Sequence, residues 1–459
     1  MALADMAASF EDQLNRRGVV KKRALGWRPR VIAYPGYGSV TSLHVLGRVI
    51  MADPADPVDE GEVDDDGTLT FQQSPLQLAQ DAQRGWRNFF TTQVAHLPIT
   101  VRAGGTELHT TTDRNGYLDL LVRDHGLPPG WHDITIDAKA ARPVTARALI
   151  VGPHVRHGVV SDVDDTVMIT WLPRAFLAAW NTFVRHTNTR QAVPGMPELY
   201  RRLRERDPEM PFFYLSTGAW NIAPVLRRFL ARHGFPYGPF LLTDWGPTQT
   251  GLFRSGMEHK KVQLRNLAMT FPQMTWLLIG DDGQHDPIIY DEFAREHPTH
   301  VAAIALRELT PAEQVLSHGT TEALAEPGRL RNAESEHGVP VVRGRDGFAL
   351  AEELPEVLDR RRTEMKLDKV KEIETARRRT PAVAVAHASK STAASLAADI
   401  ARAAASLAAE VGQDLSTPLE PLDDGDPYGD AGDATPGRPR GRHRAPDPAA
   451  GPPASEGDR

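Results

Sequence analysis

The sequence predicts an all-β sandwich, then an α/β domain built on a doubly wound parallel sheet, then a low-complexity tail. Three observations predict it. Between residues 30 and 152, short alternating apolar runs are separated by turn-forming residues. Between 153 and 358, uninterrupted apolar runs alternate with stretches of helical periodicity, the pattern of strands buried on both faces by crossover helices. From residue 359 onward the chain turns first to charged residues and then to Ala, Pro, Gly and Asp.

Composition narrows the class of partner. The chain has 459 residues, a length that suits two or three domains. Its net charge of −7 argues against a nucleic-acid partner, which a basic chain serves better. With 0 Cys, disulfides and thiolate metal sites are excluded. There is no apolar run near the roughly 18 residues of a membrane span, and no signal-peptide pattern at the start. A cytoplasmic protein is therefore expected, and any membrane contact is expected to be peripheral.

Residues 1–29 form an N-terminal extension in which Met6, Phe10 and Leu14 recur at helical spacing, predicting a short helix packed on the adjoining sandwich. In the sandwich, residues 30–152, strands are expected at Arg30–Tyr34, Val45–Ile50, Ile99–Ala103, Glu107–Thr112, Tyr117–Val122, Trp131–Ile136 and Val144–Val151. Gly36–Ser39 and Asp113–Gly116 read as turns. The acidic stretch Asp53–Gly67 reads as a solvated surface loop. In the α/β domain, residues 153–358, strands are expected at Gly158–Ser161, Phe212–Leu215, Phe240–Thr243, Trp276–Ile279 and Ala302–Leu306. Helices are expected at Pro197–Arg206, Ala223–His233, His259–Thr270 and Pro287–His297. Val339–Phe348 is expected to add a strand, a turn and a closing helix. Residues 359–459 are read as a charged helix to about residue 379, then a tail too poor in apolar surface to offset its ordering entropy.

Chemistry gathers in four polar clusters, most of them at the ends of apolar runs. Asp162-Val163-Asp164-Asp165-Thr166 follows Gly158–Ser161, and Ser216-Thr217-Gly218 follows Phe212–Leu215. Glu258-His259-Lys260-Lys261 opens a helix, and Gly280 to Asp286 follows Trp276–Ile279. In open parallel sheets, ligands bind outside the carboxyl ends of the strands. Carboxylates there, without any Cys, favour Mg²⁺ over Zn²⁺. Asp162 is placed to attack phosphorus, and Asp164 to protonate the leaving oxygen and then activate water. Ser216 and Lys260 would hold the phosphoryl oxygens. No Gly-x-x-x-x-Gly-Lys-Ser/Thr loop exists, which argues against an ordinary ATPase.

These clusters, in this order, resemble the motifs of the haloacid-dehalogenase superfamily of phosphotransferases. Asp162, Asp164 and Thr166 match its Asp-x-Asp-x-Thr/Val motif, Ser216 the second, Lys260 the third, and Asp281 with Asp282 or Asp286 the fourth. More narrowly, Ser161–Thr166, Tyr214–Thr217 and Gly280–Tyr290 resemble the catalytic domain of the actin-patch-protein type of phosphatidate phosphatase. The resemblance implies a haloacid-dehalogenase-like sheet with a small helical cap. It also implies Mg²⁺ held by Asp162, Asp164, Asp281 and Asp286, and conversion of phosphatidate to diacylglycerol. Two alternatives stay open: a phosphatase for soluble phosphomonoesters, and a non-catalytic phospholipid- or protein-binding module on the same fold. Lys261 competes with Lys260 for the third motif. Phe176, Leu177, Trp180 and Phe183 form an apolar helical stripe that reads as a cap, or as a segment touching acyl chains.

Overall fold

The computed structural model describes residues 17–55, 62–63, 69–70, 92–169, 191–243, 256–283, 285–318 and 338–379. Most of the N-terminal helix, the acidic loop beyond residue 55 apart from residues 62–63, the apolar stripe at 176–183 and the tail beyond 379 lie outside these residues. Contacts group Met1–Arg378 into one compact unit, which holds both large sheets.

The first described element is α1, residues 17–24. The first sheet has eight strands: β1 (Arg28–Ala33), β2 (Gly36–Ser39), β3 (Ser42–Ala52), β6 (Pro98–Ala103), β7 (Thr106–Thr111), β8 (Tyr117–Arg123), β9 (Gly130–Ala138) and β10 (Val144–Val151). A separate two-stranded ribbon is formed by β4 (Glu62–Val63) and β5 (Leu69–Thr70). Pairing in the large sheet is antiparallel except between β2 and β10. Alternating residues along these strands, among them Leu43, Val45, Val49, Val101, Ile134 and Ile136, fill a shared core between its two layers. Asp113–Gly116 is the expected turn: Asp113 Oδ1 accepts the N–H groups of Asn115 at 2.8 Å and Tyr117 at 2.7 Å, and Gly116 takes a φ of 76°.

Gly36–Ser39 departs from expectation. It is a strand rather than a turn, and it bonds to β3 on one side and to β10 on the other. Its glycines carry no strand propensity. They serve close approach: a Cβ on Gly38 would lie 2.0 Å from the Ser42 carbonyl oxygen, and one on Gly36 2.8 Å from that of His44.

The second sheet has six strands in the order β13 (Phe240–Thr243), β12 (Phe212–Ala219), β11 (His157–Asp162), β14 (Thr275–Asp281), β15 (Val301–Arg307) and β16 (Val341–Gly344). All its pairings are parallel. Helices α2 (Met196–Arg206), α3 (Ala223–Arg232), α4 (Gly256–Thr270), α5 (Asp286–Glu296), α6 (Pro311–His318) and α7 (Gly347–Arg379) alternate with the strands or follow them. Successive strand residues bury into opposite layers. Val159, Leu277 and Ile279 pack with Leu199, Tyr200 and Leu226 of α2 and α3, whereas Val160, Leu278 and Ile304 pack with Leu264, Leu267 and Phe293 of α4 and α5.

The charged stretch 360–379 continues the closing helix rather than forming its own. Two of its arginines turn inward: Arg361 donates to the Pro298 carbonyl at 3.3 Å, and Arg362 Nε to His157 Nε2 at 3.2 Å. Among the described residues, no helix is long and apolar enough to cross a membrane.

Candidate active site

Strand order places the site. From β11 the chain moves outward to β12 and β13, then returns past β11 to add β14, β15 and β16 on its other flank. Connections leaving β11 and β14 therefore diverge, and a crevice opens outside their carboxyl ends. Asp162 ends β11 and Asp281 ends β14.

Three carboxylates converge there. Asp162, Asp281 and Asp286 are all buried, and each offers one oxygen within 4.8 Å of the others. Asp286 arrives on the first turn of α5, behind His285 and ahead of Pro287 at a position favoured for proline. Gly280 makes room for it: a Cβ at that position would lie 2.6 Å from Asp286 Oδ2 and 2.8 Å from the Tyr290 ring. Lys260, from the first turns of α4, joins the cluster. Its ammonium donates to Asp162 Oδ1 at 2.6 Å and to Asp286 Oδ1 at 2.5 Å. Lys261 points away and pairs with Glu292 of α5.

Charge compensation is incomplete. Burial, and then the charges of Asp286, Asp162 and Asp165, push the Asp281 carboxyl well above the usual range, against the pull of Lys260. Burial likewise raises Asp162, and the neighbouring Asp286 and Asp164 add to it. Burial also opposes the Lys260 charge, but Asp162 and Asp286 outweigh it and hold the ammonium protonated. One ammonium thus faces three carboxylates. Asp162 Oδ2, Asp281 Oδ2 and Asp286 Oδ2 are buried and have no hydrogen-bond partner among the described residues. Three buried carboxylates this close together, each with an oxygen unpartnered among the described residues, suit a hard divalent cation.

Asp164 and Ser216 stand beside the triad. Asp164 follows β11 at partial exposure and accepts a hydrogen bond from Ser216 Oγ at 3.1 Å. It is not one of the three converging carboxylates. Ser216 lies within β12 and is fully buried, and its Oγ also accepts the Gly218 N–H at 3.0 Å. Asp282 turns elsewhere: its Oδ1 accepts from the Leu309 N–H and from Gln314 Nε2, both at 2.8 Å. His259 is buried against the Leu241 carbonyl at 3.3 Å. The fold thus brings together Asp162, Lys260, Asp281 and Asp286, with Asp164 and Ser216 as an adjoining pair.

Sequence reading did not single out Arg307. This buried residue ends β15, donates to the Asp165 carbonyl at 2.7 Å, and bonds Glu313 at 2.6 Å. Asp165 has a φ of 57°, a left-handed conformation that costs about 1–2 kcal/mol for a residue with a Cβ. The guanidinium thus ties β15 to the strained turn just after Asp164. The available signal was a lone charge closing an apolar strand.

Comparison with known proteins falls on this domain. Residues 157–308 match the family described as phosphatidate phosphatase APP1, catalytic domain. Phosphatidate phosphatase APP1 of Saccharomyces cerevisiae is 26% identical over 235 residues, covering 48% of this chain and 39% of that protein. An uncharacterized protein of Schizosaccharomyces pombe is 25% identical over 155 residues, or 33% of this chain and 25% of that one. The chain therefore matches well under half the length of these curated relatives. Among solved structures, a carbohydrate acetylesterase from Xanthomonas citri aligns with 58% of this chain and 75% of its own, at 9% identity and a TM-score of 0.18. A likeness that weak carries no argument. The strand-end aspartates and the family match coincide in one segment, residues 157–308, which is similar to the catalytic domain of phosphatidate phosphatase APP1.

Proposed function

We propose that the α/β domain, taken as residues 153–358, is a Mg²⁺-dependent phosphomonoesterase of the haloacid-dehalogenase type whose substrate is phosphatidate. The observation that carries this reading is the convergence of Asp162, Asp281 and Asp286 on Lys260 at the sheet's switch point. The substrate class rests on similarity to the APP1 catalytic domain. The protein would act at a membrane surface from the cytoplasm, its lipid substrate presented by the bilayer.

Asp162, Asp281 and Asp286 would hold Mg²⁺, with Asp164 at the rim; when bound, the ion supplies positive charge that offsets repulsion between a carboxylate and a phosphate. Asp162 attacks phosphorus, and the bond from phosphorus to the substrate oxygen breaks as the Asp162 carboxylate forms its own. Asp164 gives its proton to the leaving alkoxide, releasing the alcohol, diacylglycerol in the case of phosphatidate. Asp164 then takes a proton from water, which attacks the phosphorus of the aspartyl phosphate. Phosphate leaves and Asp162 is regenerated. Lys260 and the Ser216 hydroxyl bind phosphoryl oxygens through both steps, as pre-oriented donors in a buried site.

The test is a phosphate-release screen with Mg²⁺ across phosphatidate in mixed micelles, lysophosphatidate and water-soluble phosphomonoesters. Phosphatidate should be turned over fastest, and Asp162→Asn should abolish release. A preference for soluble esters would keep the chemistry and replace the substrate. No release from any of them by folded protein would leave only a binding role.

A further inference from the structure

The segment that carries Ser216 is weakly held by its own sheet. The β12 ladder with β13 is regular at Tyr214 and Leu215, then slips, and resumes only at Ala219. Ser216, Thr217 and Gly218 fall in the gap. Side chains hold them instead. Thr243 Oγ1 lies 3.0 Å from the Thr217 carbonyl and 3.2 Å from that of Gly218. Ile222 lies directly on Gly218, where a Cβ would come within 2.5 Å of its Cδ1. The chain from Trp220 to Ile222 forms a single 3-10 turn that delivers this contact.

What fixes that turn comes from the sandwich. The Tyr34 ring stacks on Trp220, with centroids 4.3 Å apart and planes at 28°. Both rings are buried in the same core cluster, together with Ile222. Tyr34 follows β1, and its N–H is bonded to the Leu46 carbonyl of β3 at 3.1 Å. A second sandwich residue, Tyr37, meets β12 itself from the opposite layer, its ring edge-on to Phe213 at 5.3 Å. Tyr37 therefore braces the regular part of β12, whereas Tyr34 braces the turn after the slip.

We infer that Tyr34 is a positioning residue of the active site. Through Trp220, Ile222 and Gly218 it holds Ser216 in register with Asp164, so the β-sandwich is a working part of the catalytic unit rather than a separate binding module. A misplacement of about 1 Å at a reacting group can cost roughly 100-fold in rate. This inference rests on the phosphatase reading for its kinetic consequence but not for its structural one.

The experiment uses the full chain with Tyr34→Leu, Tyr34→Phe and Tyr37→Leu. Hydrogen exchange over residues 216–222 and steady-state kinetics on a phosphomonoester are measured below the unfolding range of all three. Tyr34→Leu should lower kcat by roughly 10- to 100-fold, with a smaller change in KM and faster exchange at 216–222. Tyr34→Phe, which keeps the ring, should restore most of kcat. Tyr37→Leu should lower stability and leave kcat and exchange at 216–222 as in the parent. Trp220→Leu removes the same stack from the other side and serves if Tyr34→Leu does not fold. Faster exchange in Tyr34→Leu beside a parent that hydrolyses nothing would uphold the coupling and overturn the phosphatase reading. Native exchange and native kcat in folded Tyr34→Leu, or equal kinetic losses in Tyr34→Leu and Tyr37→Leu, would overturn the inference.

Discussion

Asp281→Asn should stabilise the metal-free protein and weaken its response to Mg²⁺. The Asp281 side chain is fully buried. Its Oδ1 accepts the Gly283 N–H at 2.8 Å, a bond that Asn keeps, and its Oδ2 has no partner among the described residues. Burial, with Asp286, Asp162 and Asp165 adding to it, raises the carboxyl well above its usual range. A buried charged group short of partners costs about 1–3 kcal/mol or more. At pH 8 without metal, removing that charge at constant shape should therefore raise the unfolding free energy by about 1–3 kcal/mol. The sign with pH follows from linkage. The folded pKa lies above the unfolded value of about 3.9, so the contribution of this carboxyl is fully present below about pH 4. It is lost as pH rises through the folded pKa, and the advantage of Asn should grow from about pH 5 to pH 8. Mg²⁺ should offset that advantage. At about 100 times its dissociation constant a ligand of the native state adds about 2.7 kcal/mol, and the variant should forfeit most of that. Urea denaturation at both pH values, with and without Mg²⁺, measures all four free energies. A metal-free variant weaker than the parent at pH 8, or a Mg²⁺ response equal to the parent's, would refute the reasoning.

Three further perturbations test the same geometry. Lys260→Met removes the ammonium that bridges Asp162 and Asp286; it should cost about 3–5 kcal/mol in denaturation at pH 8 and about 100- to 1,000-fold in kcat, and more than a tenth of parental turnover would count against it. Gly280→Ala drives a methyl onto Asp286 Oδ2 and the Tyr290 ring; it should destabilise by about 1–3 kcal/mol and shrink the Mg²⁺-induced rise in Tm, whereas an unchanged rise would show that the carboxylates have room to spare. His157, lowered from 6.5 to about 4 by burial and then by Arg362, Lys366, Arg206 and Arg156, contributes stability that is fully present above pH 6.5 and lost as pH falls through about 4. That interval corresponds to about 3 kcal/mol at roughly 1.36 kcal/mol per pH unit, so His157→Gln should flatten the loss of stability between pH 7 and 4, and a slope equal to the parent's would remove His157 from the account.

The parallel sheet was legible because strands buried on both faces must be apolar throughout: all seven residues of β14 and all seven of β15 are buried. Asp162 and Asp281 were legible because an acid directly after such a run has few inexpensive places to go but a site. β2 was not legible, since its glycines record contact with β3 and β10 rather than strand propensity. Choosing between Lys260 and Lys261, or between Asp282 and Asp286, was beyond the sequence for a different reason. Each pair holds the same functional group, and only the rotation of α4 and the entry of α5 decide which member meets Asp162.

By itself, then, the sequence determined most of the strands and their order along the chain, the aspartates that close β11 and β14, and the functional groups available for catalysis. Tertiary structure decided that Asp286 joins Asp162 and Asp281 while Asp164 pairs with Ser216, and that Tyr34 closes on Trp220. Local pattern records what each segment buries. Which segments meet depends on contacts between residues distant in the chain, and these are settled only when sheet order and helix packing bring them into one volume.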